Sequence, residues 1–417
     1  MGFEHIQPGP PDPMYTLKYK ADNDTSSEKV DLGVGIYRDE EGHYQGLESV
    51  KQAESELFKA DPGHDYEMTT GNQDFLAQAS QTVFGKKSIA FDKLTVPQVA
   101  SVQTISGTGA VHLAALFIAQ CMSSKTAVYV GVPTWGNYRP AMELVGLRQL
   151  EYPYLDEETR TFDHETTLEV IRTAEPSSVF VLQACCHNPT ACDPTPAQWE
   201  EIIELLHAGK HIPLFDMAYQ GLGDGIDEDA YAVRAAARKG LNMFVCQSFS
   251  KNMALYGERC GALHVACESS AVAANVHDRL RCLLRWEVSS APIYGSRLAN
   301  IVLQNDELKQ TWEAELGTMR KRLGQLRRQL FILLTEKFQT PGDWTHITRE
   351  KGLFSYLKIS RKQCIILVDE HHIYLPENGR INVSGLNSQN VMRVAQAIDS
   401  IVRDEQSSHV AMAKTRL

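Results

Sequence analysis

The 417-residue chain has no apolar run long enough to cross a bilayer: stretches such as 114–119 fall far short of the roughly 20 residues a spanning helix needs. It has no basic block, and 41 Lys and Arg against 52 Asp and Glu give a net charge of −11. Nucleic acid and anionic membrane surfaces are therefore poor partners. No C-x-x-C occurs, and the nine cysteines are scattered and odd in number. That argues against a disulfide scaffold and fits a reducing compartment. No strand-like run leads into G-x-G-x-x-G with an acid at the right distance, so a dinucleotide-binding dehydrogenase is excluded. Internal repeats and low-complexity linkers are also missing. With 43% hydrophobic and 22% charged residues, neither disorder nor a collagen-like architecture fits. The length suits two domains or one large α/β domain.

What is present is a β-α-β rhythm. Residues 127–132, 178–183, 212–215 and 244–247 read as buried strands, with helices at 198–208 and 230–237. This alternation predicts a mostly parallel sheet with helices on both faces. A long charged amphipathic helix, broken at most once, is expected over 306–337. Strands at 354–359 and 380–383 and a closing helix at 388–402 place a smaller domain after it. At the other end, Gln7-Pro8-Gly9-Pro10-Pro11-Asp12-Pro13 cannot be helical, because proline lacks the amide donor and restricts its predecessor. It reads as an extended arm that needs a surface, such as a neighbouring subunit. The first 22 residues have neither a secretory apolar core nor the character of a transit peptide, so the cytosol is expected. The final Thr415-Arg416-Leu417 resembles the S-K-L address, which makes the peroxisome the alternative.

Four segments carry chemistry. In 101–110 (SVQTISGTGA), a Ser-Gly-Thr-Gly turn opens a helix expected from Val111, a ready anion cradle or a plain N-cap. Lys251 follows a buried strand among Ser248, Ser250 and aromatics; it is either a solvated surface lysine or, in a pocket, an amine able to attack a carbonyl. Ser248 and Arg259 stand close enough in sequence to add phosphate donors. Asp216 ends an apolar strand with Tyr219 three residues on, a ligand position at a sheet's carboxyl edge or a helix N-cap. Cys185-Cys186-His187 offers metal-binding atoms, but no second pair has metal spacing, so no metal is expected.

Taken together, DLGVGIYRDE, SVQTISGTGA, PTWGN, HNPT, FDMAYQG, QSFSKNMALYGER and GRINVSG occur in one order that resembles the aspartate aminotransferase family of fold-type I pyridoxal-phosphate enzymes, over nearly the whole chain. The resemblance implies a mostly parallel central sheet and a smaller α/β domain built from both chain ends. Its expected boundaries are an arm at 1–13, a small domain at 14–45 plus 319–417, and a large cofactor domain at 46–318. It implies that Lys251 forms the Schiff base and shuttles the proton, and that Asp216 keeps the pyridine nitrogen protonated. Tyr219 and Asn188 would donate to the ring oxygen, and Trp135 would stack on the ring. Ser106, Gly107, Thr108, Ser248 and Arg259 would form the phosphate cup, joined by Tyr66 from the other subunit of a homodimer. Arg380 would clamp the substrate α-carboxylate, with Gly35 and Phe354 beside it. Arg285 would cross from the partner to take the side-chain carboxylate.

The implied reaction is L-aspartate plus 2-oxoglutarate to oxaloacetate plus L-glutamate. Three features depart from the family pattern. LRWEVSSAP puts Val288, Ser290 and Ala291 where an aromatic, Asn and Pro are usual. Ala191 and Cys192 follow HNPT. Tyr138 and Gln183 stand where two histidines commonly back the pyridine-binding acid, so that support is expected to be lost. These departures keep open a specialised relative acting on aromatic or modified acidic amino acids, or running elimination or decarboxylation. A catalytically retired binding dimer is the remaining alternative, and the presence of Lys251, Asp216, Tyr219, Arg259 and Arg380 argues against it.

Overall fold

A computed structural model describes residues 2–85 and 98–415. Arg416 and Leu417 of the candidate address lie outside them. The chain divides into two compact units. The larger comprises Tyr44–Gly324 and Arg349–Leu353; the smaller comprises Met1–His43, Gln325–Thr348 and Phe354–Leu417.

The larger unit is organised by one seven-stranded sheet. Its strands are β1 (Val99–Ile105), β2 (Ala127–Val132), β3 (Arg148–Pro153), β4 (Val179–Gln183), β5 (Ile212–Met217), β6 (Met243–Ser248) and β7 (Cys260–Ala266). The spatial order is β1-β7-β6-β5-β4-β2-β3. All pairings are parallel except those of β7, which runs antiparallel to both β1 and β6. Strands β4, β6 and β7 are buried at every position, as a sheet covered on both faces requires. The apolar core joins Val102, Val128, Val179, Leu214, Phe244 and Leu263 of the strands to Val111, Leu113, Leu280 and Leu284 of the covering helices.

The helices begin where local chemistry lets them. Pro196–Ala208 starts two residues before the expected point, because Thr195 and Gln198 form a reciprocal capping box and Pro196 needs no donor there. Tyr231–Lys239 ends at Gly240, whose φ of 81° is open to glycine at little cost. The long helix runs Asp306–Ile332 and loosens into a π-helical turn at Leu333–Lys337, the single break expected.

In the smaller unit residues 3–6 form a turn, and Asp12 caps a helix over Pro13–Asn23, so Pro13 opens a helix where a non-helical arm was expected, its missing donor costing nothing at the first position. Val30–Asp31 pairs in parallel with Ile373–Tyr374, while Phe354–Tyr356 pairs antiparallel with Arg380–Asn382. The strand expected over 354–359 is thus only three residues long. A helix at Arg361–Asp369, capped by Ser360 and Gln363, was not legible in the hydrophobic pattern. The closing helix runs Val391–Thr415, beyond the expected end.

Candidate active site

The reversed direction of β7 creates the site. Its start, Cys260-Gly261, pairs with Ile105-Thr104 at the carboxyl end of β1, and Gly261 faces Ser248 at the carboxyl end of β6. Arg259, just before β7, therefore arrives where β1 and β6 finish. Asp216, on β5, sits in register with Gln183 of β4 at the same edge.

The expected loop between β1 and its helix does not exist. The helix begins at Ser106 and runs to Phe117, because Ser106 takes a left-handed conformation with φ 60° and turns the chain at once. Ser106 Oγ lies 2.8 Å from Ser250 Oγ and 3.2 Å from Ser248 Oγ. The Ser106 amide donates to the Arg259 carbonyl at 3.0 Å. Arg259 Nη1 reaches Ser250 Oγ at 3.5 Å and the Tyr256 carbonyl at 2.9 Å. No acid stands in the first helical turn. Thr108 is exposed on that turn. The hydroxyls, a guanidinium and a helix N-terminus gather here in a cup of anion-binding donor types.

Two glycines let this cup close. A Cβ on Gly107 would meet Ser248 Cβ at 3.0 Å. One on Gly261 would lie 2.5 Å from the Ser106 carbonyl carbon and 2.7 Å from the Gln247 carbonyl oxygen, both backbone. Gly261→Ala is therefore expected to lower stability by about 1–3 kcal/mol, the usual range for overpacking. Urea denaturation measures it; an unchanged midpoint and slope would mean that β1 and β6 yield easily there.

Lys251 lies in the turn after β6, fixed by its neighbours. Phe249 is fully buried and packs edge-on to Phe75 at 5.3 Å. Asn252 donates to the Gln220 carbonyl at 3.1 Å, and its own carbonyl accepts from Trp312 Nε1 at 2.6 Å. Lys251 Nζ stands 5.0 Å from the centre of the Tyr219 ring. Burial holds its ammonium below the usual lysine range, with Arg259 adding to the effect and Asp216 opposing it. Burial likewise pushes the Asp216 carboxyl up, against the Tyr138 hydrogen bond and the Lys251 charge. The arrangement suits an amine that gives up its proton more readily than a solvated lysine, beside an acid held in a dry setting.

The support expected to be missing behind Asp216 is present in another form. Tyr138 is buried, and its hydroxyl donates to Asp216 Oδ2 at 2.5 Å. Its ring also meets Trp135 edge-on, with centroids 5.2 Å apart. Gln183 does not take part: its amide spans the Asn188 backbone, accepting from the amide at 2.8 Å and donating to the carbonyl at 3.0 Å, and it reaches Thr134 Oγ1 at 3.3 Å. So one departure replaces a donor to Asp216, and the other fixes Asn188 in place. Ser250, left out of the expected cup, contacts both Ser106 and Arg259 of it. The S-x-S spacing at 248 and 250 was the available signal, since alternate residues of an extended segment share a face.

Cys185, Cys186 and Asp229 bring their ligand atoms within 4.8 Å of one another. Asp229 already accepts three backbone amides, from Gly221, Gly223 and Asp224 at 2.8–2.9 Å. Its carboxylate is thereby occupied as a turn-forming anchor.

Two expected residues are exposed in the single chain. Tyr66 is 88% exposed, in a loop held by Arg297, which bonds the Gly63 carbonyl at 2.8 Å and Glu67 at 3.4 Å. Arg285, in the last turn of the helix Ser270–Glu287, bonds Ser289 Oγ at 2.6 Å. Within the smaller unit, Arg380 is grouped with the other two expected residues. Its guanidinium lies 4.3 Å from the Phe354 ring centre and bonds the Gly33 carbonyl at 2.7 Å. Asn382 Nδ2 donates to the carbonyls of both Val34 and Ile36 at 2.7 Å, fixing the backbone around Gly35.

Known proteins share the sequence and fold of this chain over most of its length. The sequence profile described as aminotransferase class I and II matches residues 27–398. A mitochondrial aspartate aminotransferase of Schizosaccharomyces pombe is 39% identical over 396 residues, 94% of this chain and 89% of that protein. The solved aspartate aminotransferase from the cytoplasm of Saccharomyces cerevisiae superposes with a TM-score of 0.92 at 38% identity, covering 96% of this chain and 98% of that one. An aromatic-amino-acid aminotransferase of Burkholderia pseudomallei, solved covalently bound to pyridoxal phosphate, gives a TM-score of 0.92 at 35% identity, covering 96% and 99%.

Proposed function

The chain belongs to the aminotransferase class I and II family, and on that premise we propose that it carries the amino group of L-aspartate to 2-oxoglutarate, giving oxaloacetate and L-glutamate. It is a transferase that uses pyridoxal phosphate. The residues present fit that cofactor: the Ser106–Ser248–Ser250–Arg259 cup suits its phosphate, and the glycines leave room for close approach. The observation that carries the reading is the Ser106–Ser248–Ser250–Arg259 cluster with Lys251 in the adjoining turn, its Nζ 5.0 Å from the Tyr219 ring centre.

When bound, pyridoxal phosphate supplies a carbonyl for the amino group and a ring that accepts the electron pair released at the substrate's α-carbon. The protein's residues do the rest. Asp216 holds a proton at the cofactor's ring nitrogen. Tyr219 and Asn188 donate to the ring oxygen, and Trp135 covers one ring face. Lys251 Nζ takes the α-proton and returns it on the other side of the reaction, work that its lowered basicity favours. Arg380 pairs with the α-carboxylate through two parallel donors and Arg285 with the side-chain carboxylate, a match lysine cannot reproduce. A coupled assay with aspartate and 2-oxoglutarate tests the reading, with both products identified; no oxaloacetate from the loaded protein would reject it.

We also propose a homodimer with shared sites. Tyr66 and Arg285 are exposed in the single chain, as residues destined for a partner must be, and Tyr44, Phe58, Met68 and Trp286 expose further apolar surface on the same unit. Lys251→Ala and Arg285→Ala proteins, each weak alone, are then expected to regain activity when mixed, since each heterodimer gains one intact site. No recovery after verified subunit exchange would contradict sharing. None of the nine cysteines is in a disulfide, as in a reducing compartment, and we propose the cytosol.

A second reading is favoured by the wall around Val288, Ser290 and Ala291, where smaller groups replace the usual aromatic, Asn and Pro. It extends the substrate range to aromatic amino acids, as the name of the Burkholderia relative states for that enzyme. Including phenylalanine in the assay separates the two.

A further inference from the structure

Asp216 is buried on a strand end where few groups reach it. From β6 comes Cys246, from the following turn Lys251, and from the helix Tyr138–Leu144 comes Tyr138, which Tyr219 in the turn beyond β5 also faces. Burial pushes the Cys246 thiol well up, so it stays neutral. Lys251 is proposed to exchange protons during turnover and cannot serve as a constant support. Tyr138 differs from both. It is nearly inaccessible, its hydroxyl is 2.5 Å from Asp216 Oδ2, and its ring stands almost perpendicular to Trp135, at 87°. Burial beside that carboxylate keeps the phenol protonated far beyond neutral pH. It is therefore a donor at every working pH, which an imidazole in its place would not be in a fixed charge state.

We propose that Tyr138 is the positioning residue of this site, fixing the Asp216 carboxylate toward the cofactor's ring nitrogen through its hydroxyl while its ring edge sets the plane of Trp135. The inference rests on the pyridoxal-phosphate reading above. It explains how the chain dispenses with a histidine behind Asp216. A buried hydrogen bond to a charged acceptor both orients it and favours its charged form. It also couples the two groups that touch opposite parts of the ring, because a shift of Tyr138 moves Asp216 and Trp135 together.

The test uses full-length apoprotein titrated with pyridoxal phosphate, read by equilibrium dialysis and by the absorption spectrum of the bound form across pH. Tyr138→Phe keeps the ring and removes the hydroxyl; Tyr138→His restores a donor. Circular dichroism and thermal melts check that each variant folds. Tyr138→Phe is expected to bind the cofactor roughly ten- to a hundredfold more weakly, the range for losing a hydrogen bond to a charged group. Tyr138→His is expected to recover most of that loss and to bring a new pH dependence of affinity near the imidazole range, about 6.5. Parent protein that fails to bind pyridoxal phosphate would reject the cofactor reading itself. Parent that binds, with Tyr138→Phe equal to it in affinity and spectrum, would overturn the positioning role alone. Equal weakening in the Phe and His variants would also overturn it, since restoring a donor would then recover nothing.

Discussion

Lys251→Ala is expected to abolish amino transfer while leaving the fold in place. The turn that carries Lys251 is held by Phe249, Asn252 and Trp312, not by the lysine side chain. Removing a desolvated amine from a buried site costs no packing that these residues supply. The catalytic loss should be about 10⁴-fold or greater in kcat, because the amine is proposed as both the anchoring nucleophile and the proton carrier at the α-carbon. Far-UV circular dichroism should match the parent, and cofactor should still enter the cup through its phosphate contacts. Added small amines should restore part of the rate by carrying the proton in solution. Aspartate turnover within tenfold of the parent would remove Lys251 from the mechanism.

Arg285→Asp should have the next largest effect, and it acts on specificity. A dicarboxylate would meet an anion in place of a two-pronged donor. The expected loss in kcat/KM for aspartate is about a hundred- to several-thousand-fold, the range for breaking a desolvated charged pair. Alanine and phenylalanine should change little, because the α-carboxylate contact proposed for Arg380 is untouched. That guanidinium is separately held by Phe354 and the Gly33 carbonyl. Cationic amino acids should gain. The measurement is kcat/KM for aspartate, alanine, phenylalanine and lysine in both proteins. Should aspartate lose no more than alanine, Arg285 does not read the substrate, and the broader-range reading becomes the stronger one. The Ser289 hydroxyl, now bonded to Arg285 at 2.6 Å, would also lose its partner in the variant. A Ser289→Ala control isolates that contact.

Short apolar runs revealed four of the seven strands of the central sheet, while Val99–Ile105, Arg148–Pro153 and Cys260–Ala266 went unread. Strands β2, β4, β5 and β6 are apolar runs of five or six residues bounded by turns, so each was visible within a residue or two. Short strands in the smaller unit were harder. Phe354–Tyr356 and Arg380–Asn382 pair over only three residues, and continuing apolar residues such as Leu357 lengthened the apparent strand. The helix Arg361–Asp369 was hidden because its start is signalled by a capping box, Ser360 with Gln363, and not by an amphipathic stripe.

By itself the sequence determined the kind of protein and its chemical inventory. Contiguous motifs such as QSFSKNMALYGER and HNPT hold Lys251, Arg259 and Asn188 in single short segments, where residue order alone carries the information. Strand and helix periods, set by local backbone geometry, fixed the alternating α/β plan. Only the tertiary structure decided which groups meet across that plan. Tyr138 reaches Asp216 over 78 positions of sequence, and Gln183 turns instead to the Asn188 backbone. Ser250 joins Ser106 across 144 positions because β7 runs backwards between β1 and β6. Such contacts follow from strand order and direction, which are settled by how the buried faces of the whole sheet pack and not by any local signal in the chain.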